Sequence, residues 1–179
     1  MSIMYKSTRS NSDKVTASQA ILKGLADDGG LFVPDSIPAL EVPLEKLADM
    51  TYQETAYEVM KLFLSDFTEE ELKHCINGAY DDKFDTKEIA PLVKKDGAYY
   101  LELFHGKTIA FKDMALSILP YLMTTAAKKN GVKNEIVILT EHPVIQEKLH
   151  WLVLRMFREQ VLLCSIRKTV SARFRRNRC

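Results

Sequence analysis

The residue in this sequence best suited to covalent chemistry is Lys112, which lies in the stretch HGKTIAFKDMA. It is flanked by Ala110, Phe111 and Met114. Apolar neighbours that partly exclude water from an amine disfavour its charged form. A desolvated lysine amine is a usable nucleophile that can form an imine with an aldehyde cofactor. A lone lysine in the first turn of a helix is more often a solvated surface residue, and the residues alone leave that alternative open.

The elements around Lys112 follow from local patterns. Residues 99–104 are aromatic and β-prone, and His105-Gly106 ends that strand. Apolar residues then recur at helical spacing, which predicts a helix that begins at Lys112 and ends near residues 128–131. Residues 135–140 form a buried type of strand. Strand, helix and strand in this order predict a parallel βαβ unit, the start of an open α/β sheet.

The residues before Lys112 contain further signals. Thr16 or Ser18 can cap a short helix, and the glycines of residues 27–30 favour a tight turn because glycine adopts positive φ at little cost. Residues 52–65 carry an apolar stripe at helical spacing.

Two more elements are predicted between that stripe and the lysine. Thr68 followed by Glu71 forms a capping box that opens a helix running to about residue 79. Residues 89–94 and 99–104 are predicted to form a hairpin whose turn is at residues 95–97.

Three stretches of the sequence resemble one known family. HGKTIAFKD is similar to the lysine motif of the threonine synthases, commonly H-G-P-T-x-x-F-K-D, with Lys107 in place of the usual proline. The segments STRS…TASQAILK and GLADDGGLFVP resemble the N-terminal segment of the same family. The resemblance covers residues 1–140, which correspond to the N-terminal third or so of a full family member.

The resemblance implies a fold and an activity. The fold is α/β, in which an N-terminal α+β domain is followed by the start of the open sheet of fold-type II enzymes that use pyridoxal 5′-phosphate. The activity is the conversion of O-phospho-L-homoserine and water to L-threonine and phosphate in threonine biosynthesis. In that family a Schiff base joins the cofactor to the motif lysine, so Lys112 is the expected cofactor anchor and the expected catalytic acid and base.

Residue usage changes sharply at residue 141. Residues 1–140 hold 16 Lys+Arg and 21 Asp+Glu, for a net charge of −5, whereas residues 141–179 hold 9 and 3, for a net charge of +6. All seven glycines precede residue 141. In the threonine synthases a glycine-rich loop, A-T-S-G-D-T-G, follows the strand and cradles the cofactor phosphate with backbone N–H groups. This chain has Glu141, His142 and Pro143 there instead.

Synonymous codons for the residues from Glu141 onward, read one base out of register, can encode T-S-G-D-T-G. We therefore predict that residues 141–179 are frame-shifted sequence and that the chain is a truncated, inactive form of the enzyme. The predicted domains are residues 1–91, a threonine synthase N-terminal domain, residues 92–140, the beginning of the cofactor-binding domain, and residues 141–179, a basic tail that does not match the family.

Two other functions stay open. The chain could be a non-catalytic binding module that uses its basic tail, with an amphipathic helix at residues 144–157 and an arginine cluster at residues 173–178. It could also be another fold-type II lyase, such as a serine or threonine dehydratase, although the N-terminal segment favours threonine synthase.

The remaining composition indicates a cytoplasmic protein. Cys75, Cys164 and Cys179 show no paired spacing, which is typical of reduced thiols, and the four histidines have no metal-ligand spacing. The sequence shows no signal peptide and no membrane span, so we expect a small-molecule substrate as partner, and neither a nucleic acid nor a membrane. The sequence does not indicate the oligomeric state.

Overall fold

The computed structural model describes residues 2–10, 14–134, 136–141 and 161–166. The chain divides into two compact units, Met1–Asn134 and Glu135–Cys179. The three domains predicted from the sequence are domains of the related family, and their limits stay a prediction.

The first unit begins with a small antiparallel sheet that encloses a helix. Strand β1 (Tyr5–Ser7) pairs with strand β2 (Phe32–Pro34). Helix α1 (Ala17–Lys23) lies between them in sequence and begins with a capping box made by Thr16 and Gln19, so Thr16 is the cap of the two candidates. Gly29 has a φ of +75°, which confirms the predicted turn.

Three helices follow, and two of them begin with capping boxes. Helix α2 spans Leu44–Ala48, helix α3 spans Tyr52–Phe63 and helix α4 spans Glu69–Ala79. The predicted capping box of Thr68 with Glu71 is confirmed. Thr51 and Glu54 form an equivalent box at the start of α3, where the sequence analysis had identified only the apolar stripe.

The predicted hairpin is also confirmed. Strand β3 (Leu92–Lys95) pairs with strand β4 (Ala98–Leu101) in antiparallel register. Asp96 and Gly97 connect them with φ values of +51° and +81°, the two-residue turn that matches the twist of paired strands.

The helix predicted to begin at Lys112 is two helices. Helix α5 covers Asp113–Leu116, and helix α6 covers Leu119–Lys129. Pro120 explains the break, because proline has no N–H to donate to the carbonyl of Leu116 and its ring favours the first turn of a new helix.

In its described residues, 136–141 and 161–166, the second unit contains one parallel strand pair. Strand β5 (Ile136–Glu141) pairs with strand β6 (Val161–Ile166). Strand β4 pairs with β3 and strand β5 with β6, and the parallel βαβ unit predicted from the sequence stays a prediction. The two-residue turn favours the pairing of β3 with β4, because closing a short loop costs little chain entropy. The helix predicted at residues 144–157 and the arginine cluster at residues 173–178 lie outside the described residues.

The core of the first unit forms where α4 and α1 meet α6. Leu72, Cys75 and Ile76 of α4 are at most 1% exposed and belong to one buried cluster with Leu122 and Ala126 of α6. Two polar contacts hold the end of α6, since Lys129 pairs with Glu71 at 3.0 Å and the Asn130 amide donates to Ser18 Oγ at 2.9 Å. This core fixes α6, and through α6 it supports the lysine-bearing segment before it.

The packing predicts the cost of a core truncation. Leu72→Ala removes a side chain that is 1% exposed, so we expect the free energy of unfolding to fall by about 2–5 kcal/mol through lost burial and a residual cavity. Leu44→Ala, at a side chain that is 76% exposed, is the matched control and should change it by less than about 0.5 kcal/mol. Urea unfolding of both variants measures the difference, and equal losses would contradict this core assignment.

Candidate functional site

Lys112 is the N-cap residue of α5 and has helical backbone angles. Its carbonyl accepts hydrogen bonds from the N–H groups of Ala115 at 3.1 Å and Leu116 at 2.9 Å. The residue is half-buried, while neighbouring Phe111 is 65% exposed, so the apolar shelter predicted for the amine is only partly formed. Among the residues that the structure describes, no carboxylate is paired with the Lys112 amine.

The segment of residues 105–113, which we call the lysine loop, is closed by Asp113. This side chain is 2% exposed. One of its carboxyl oxygens accepts the Thr108 N–H at 2.8 Å, and the other accepts the Thr108 hydroxyl at 2.6 Å. A buried carboxyl group is costly unless it is hydrogen-bonded, and Thr108 supplies both donors from within the same loop. Asp113 therefore holds the loop in a closed turn directly beside Lys112.

The closed turn requires a glycine at position 106. A Cβ added to Gly106 would lie 2.4 Å from Asp113 Oδ2 and 2.5 Å from Asp113 Cβ, distances that real Cβ atoms do not show. Ile109 occupies the left-handed region at a φ of +63°, which is rare for a β-branched residue, and its N–H donates to the Gly106 carbonyl at 3.0 Å. Such backbone strain persists only where the surrounding contacts enforce it.

His105 lies at the start of the lysine loop between two carboxylates. Its Nδ1 is 2.5 Å from Asp85 Oδ1, and its Nε2 is 2.9 Å from Glu102 Oε2. The hydrogen bonds to Glu102 and Asp85 raise the pKa of His105 above its ordinary value. The imidazole ring also stacks on Phe104, with ring centroids 4.7 Å apart.

A second contact attaches the lysine segment to the core. The buried Tyr80 hydroxyl donates to the carbonyl of Met114 at 2.8 Å, which joins the end of α4 to the middle of α5. Burial raises the pKa of Tyr80, so the hydroxyl keeps its proton for this bond. The position of Lys112 is thus fixed from two sides, by its own loop and by α4.

Sequence reasoning identified Lys112 but not the residues that position it. The sequence patterns that point to Lys112 assign no role to Asp113, Asp85 or Glu102. Asp85 is 20 residues from His105, and no spacing rule connects two such positions. Lys107, where the family pattern has proline, is exposed. Within the described residues, no group of three or more His, Cys, Asp or Glu side chains could hold a metal ion, and no helix is long and apolar enough to cross a membrane.

Comparison with family models and with curated proteins identifies relatives of this chain. Residues 4–80 match the family model described as threonine synthase N terminus. The chain is 43% identical over 138 residues to a threonine synthase of Schizosaccharomyces pombe, an alignment that covers 74% of this chain and 27% of the relative. It is 35% identical over 152 residues to a threonine synthase of Saccharomyces cerevisiae, covering 76% of this chain and 29% of the relative.

Solved structures of threonine synthases superpose on this chain. A threonine synthase of Brucella melitensis with bound PLP superposes with a TM-score of 0.78 at 27% identity, covering 94% of this chain and 36% of the other. An Escherichia coli threonine synthase superposes with a TM-score of 0.71 at 21% identity, a likeness of fold, covering 90% of this chain and 36% of the other. The chain corresponds to the N-terminal portion of threonine synthases and spans about a quarter of the length of its curated relatives. The resemblance and the α/β fold class are confirmed.

Thr108 offers a matched test of the closed loop. Thr108→Val removes the hydroxyl that donates to Asp113 and leaves a buried carboxyl oxygen unpaired, so we expect the free energy of unfolding to fall by about 1–3 kcal/mol. Thr108→Ser keeps the hydroxyl and should retain most of that stability. Urea unfolding of both variants compares them directly. If the two substitutions cost the same, the Asp113 hydrogen bond does not hold the loop.

Proposed function

We propose that the chain carries the lysine half of a threonine synthase site and that Lys112 is the residue that would hold pyridoxal 5′-phosphate. The reaction is the family's conversion of O-phospho-L-homoserine and water to L-threonine and phosphate. The observation that supports the proposal most directly is the geometry at Lys112, a half-buried residue whose amine has no ion-pair partner among the described residues, beside a loop closed by Asp113. We further propose a cytoplasmic location, as the reduced thiols suggest.

The residues present fit one end of the cofactor. Lys112 supplies an amine that can bond to the aldehyde carbon, and the closed loop limits the directions in which that amine can point. The other end requires donors for a phosphate group, and the chain has no glycine after Gly131 with which to form the family's phosphate loop. When bound, the cofactor supplies an electron sink for a carbanion at the substrate α carbon.

Each residue of the site then has a distinct task. The Lys112 amine would take a proton from the substrate α carbon and hold it for transfer, which is general acid and base chemistry at one atom. Asp113 and Thr108 orient the lysine loop through their hydrogen bonds to each other. Tyr80 fixes α5 to the core through the Met114 carbonyl, so the position of the Lys112 amine is tied to the core.

We also propose that residues 141–179 are frame-shifted sequence and that this chain does not turn over substrate. The break in composition begins at Glu141, which is also the last residue of β5. The pairing of β5 with β6 is made by backbone groups, so it does not by itself identify the coding origin of the tail. Without that loop, a cofactor joined to Lys112 would lack the backbone donors that hold its phosphate in the family.

The lysine assignment is tested with the full chain by adding pyridoxal phosphate, fixing the adduct with borohydride and mapping the modified peptide by mass. We expect a saturable absorbance change and modification at Lys112, which Lys112→Ala removes. Lys107→Ala, at an exposed lysine of the same loop, is the matched control and should leave the modification intact.

Pyridoxal without its phosphate is a second probe. Pyridoxal is less reactive overall because its free hydroxymethyl group closes an internal hemiacetal, so the preference for Lys112 over the other lysines is what is compared. Because the chain lacks the family's phosphate loop, both aldehydes should show a similar preference for Lys112. Modification spread evenly over the exposed lysines, and unchanged in Lys112→Ala, would contradict the proposal.

The frameshift is tested by reading the coding DNA. We expect codons from Glu141 onward that, read one base out of register, encode the glycine-rich sequence T-S-G-D-T-G after Thr140. Codons that cannot give that shifted sequence would exclude the frameshift and identify the tail as genuine protein sequence.

A further inference from the structure

We propose that His105 is a positioning residue, an imidazolium bridge between Asp85 and Glu102 that holds the lysine loop against the segment after α4 and so fixes Lys112. The inference rests on the proposed function, because it assigns His105 a task toward the same lysine. The bridge closes at lower pH and weakens as the imidazole loses its second proton.

The bridge connects parts of the chain that are distant in sequence. His105 and Asp85 make two contacts with each other, one between Nδ1 and Oδ1 at 2.5 Å and one from the Asp85 N–H to the His105 carbonyl at 3.0 Å. Two contacts fix orientation as well as distance, which one hydrogen bond cannot do. These two contacts attach the lysine loop to the segment that follows α4.

The link from His105 to Lys112 runs through the other residues of the lysine loop. Gly106 follows His105 and lies against Asp113, and Asp113 binds Thr108 and adjoins Lys112. The loop is closed on itself, so it moves as one piece. A displacement of His105 would therefore shift Lys112 and the position of its amine.

The protonation state follows from the geometry. Each imidazole nitrogen faces a carboxylate oxygen, and only the doubly protonated ring can donate to both. The charged groups facing the ring are Asp85 and Glu88 from the segment after α4 and Glu102 from the segment after β4, where Phe104 covers one ring face. The two carboxylates lie on opposite nitrogens, so they cannot converge with the ring on one metal ion.

The sign of the pH dependence is set by that surplus of negative charge. Glu102 and Asp85 raise the pKa of His105, so the stabilisation is complete below the ordinary pKa of histidine and is lost as the pH rises through the raised value. The neutral ring can still donate to one carboxylate, and the other then faces a lone pair. The bridge is consequently a pH-dependent link and not a permanent one.

The test uses the full chain and needs no cofactor. NMR titration follows the His105 ring, hydrogen exchange measures the protection of the Thr108 amide, and a lysine-acylating reagent measures the reactivity of Lys112, each between pH 5.5 and 9 on the scale set by ordinary histidine titration. We expect the Thr108 protection factor to fall, and the reactivity of Lys112 per neutral amine to change, by roughly two- to fivefold as His105 deprotonates, the size of an ion pair that solvent still screens, since the Asp85 side chain is 73% exposed.

Three substitutions make the result specific. His105→Gln should abolish the pH-dependent step while keeping one donor and one acceptor, and Asp85→Asn should shift the His105 titration to lower pH because one carboxylate is lost. His74→Gln, at an exposed histidine on α4 outside the lysine loop, is the matched control and should behave as the native chain. Asp85→Asn changes one largely exposed side chain and remains informative if His105→Gln fails to fold.

The outcomes separate this inference from the proposed function. A pH step in Thr108 protection and Lys112 acylation that His105→Gln removes supports the bridge, even if pyridoxal phosphate does not select Lys112. A His105 titration that leaves both readouts unchanged overturns the inference, even if pyridoxal phosphate does select Lys112.

Discussion

The local structure around Lys112 depends on one buried carboxyl group. Asp113 is 2% exposed, and its two oxygens are occupied by the N–H and the hydroxyl of Thr108. Because a buried carboxyl group without donors would be costly, the chain must bring Thr108 back over the start of α5. That return path permits no side chain at position 106 and forces Ile109 into the left-handed region. The conformation of the loop is thus the consequence of satisfying one side chain.

The same constraint explains why a short helix can carry the reactive residue. Helix α5 has four residues, too few to be stable alone, since an isolated helix of this length is marginal in water. It is held at its start by Asp113 and in its middle by the hydroxyl of Tyr80, while α6 behind it packs on α4. The site is therefore stabilised by its contacts with the helical core of the first unit.

The sequence predicted the parts of this fold that depend on nearby residues. Thr68 and Glu71 are three positions apart, and the hairpin turn is two residues long, so both could be recognised from short patterns. The break before α6 was missed because the apolar period continues through it, although Pro120 was the available signal. Lys112 was identified from its motif, whereas Asp85 was not, because its contact with His105 joins positions 20 residues apart.

The distribution of the chemistry along the chain has a physical consequence for cofactor binding. An amine and an aldehyde form a reversible bond in water, so a lysine alone selects a cofactor poorly, and an anion site must supply the remaining affinity. The amine and its supports lie in the first unit, at residues 80–114, where the contacts are short and satisfied. The glycines that an anion loop requires are missing after Gly131, and residue usage changes at Glu141. A positioned lysine without an anion loop is what a coding change that begins at Glu141 would leave, because the described hydrogen bonds that close the lysine loop are made within the loop itself.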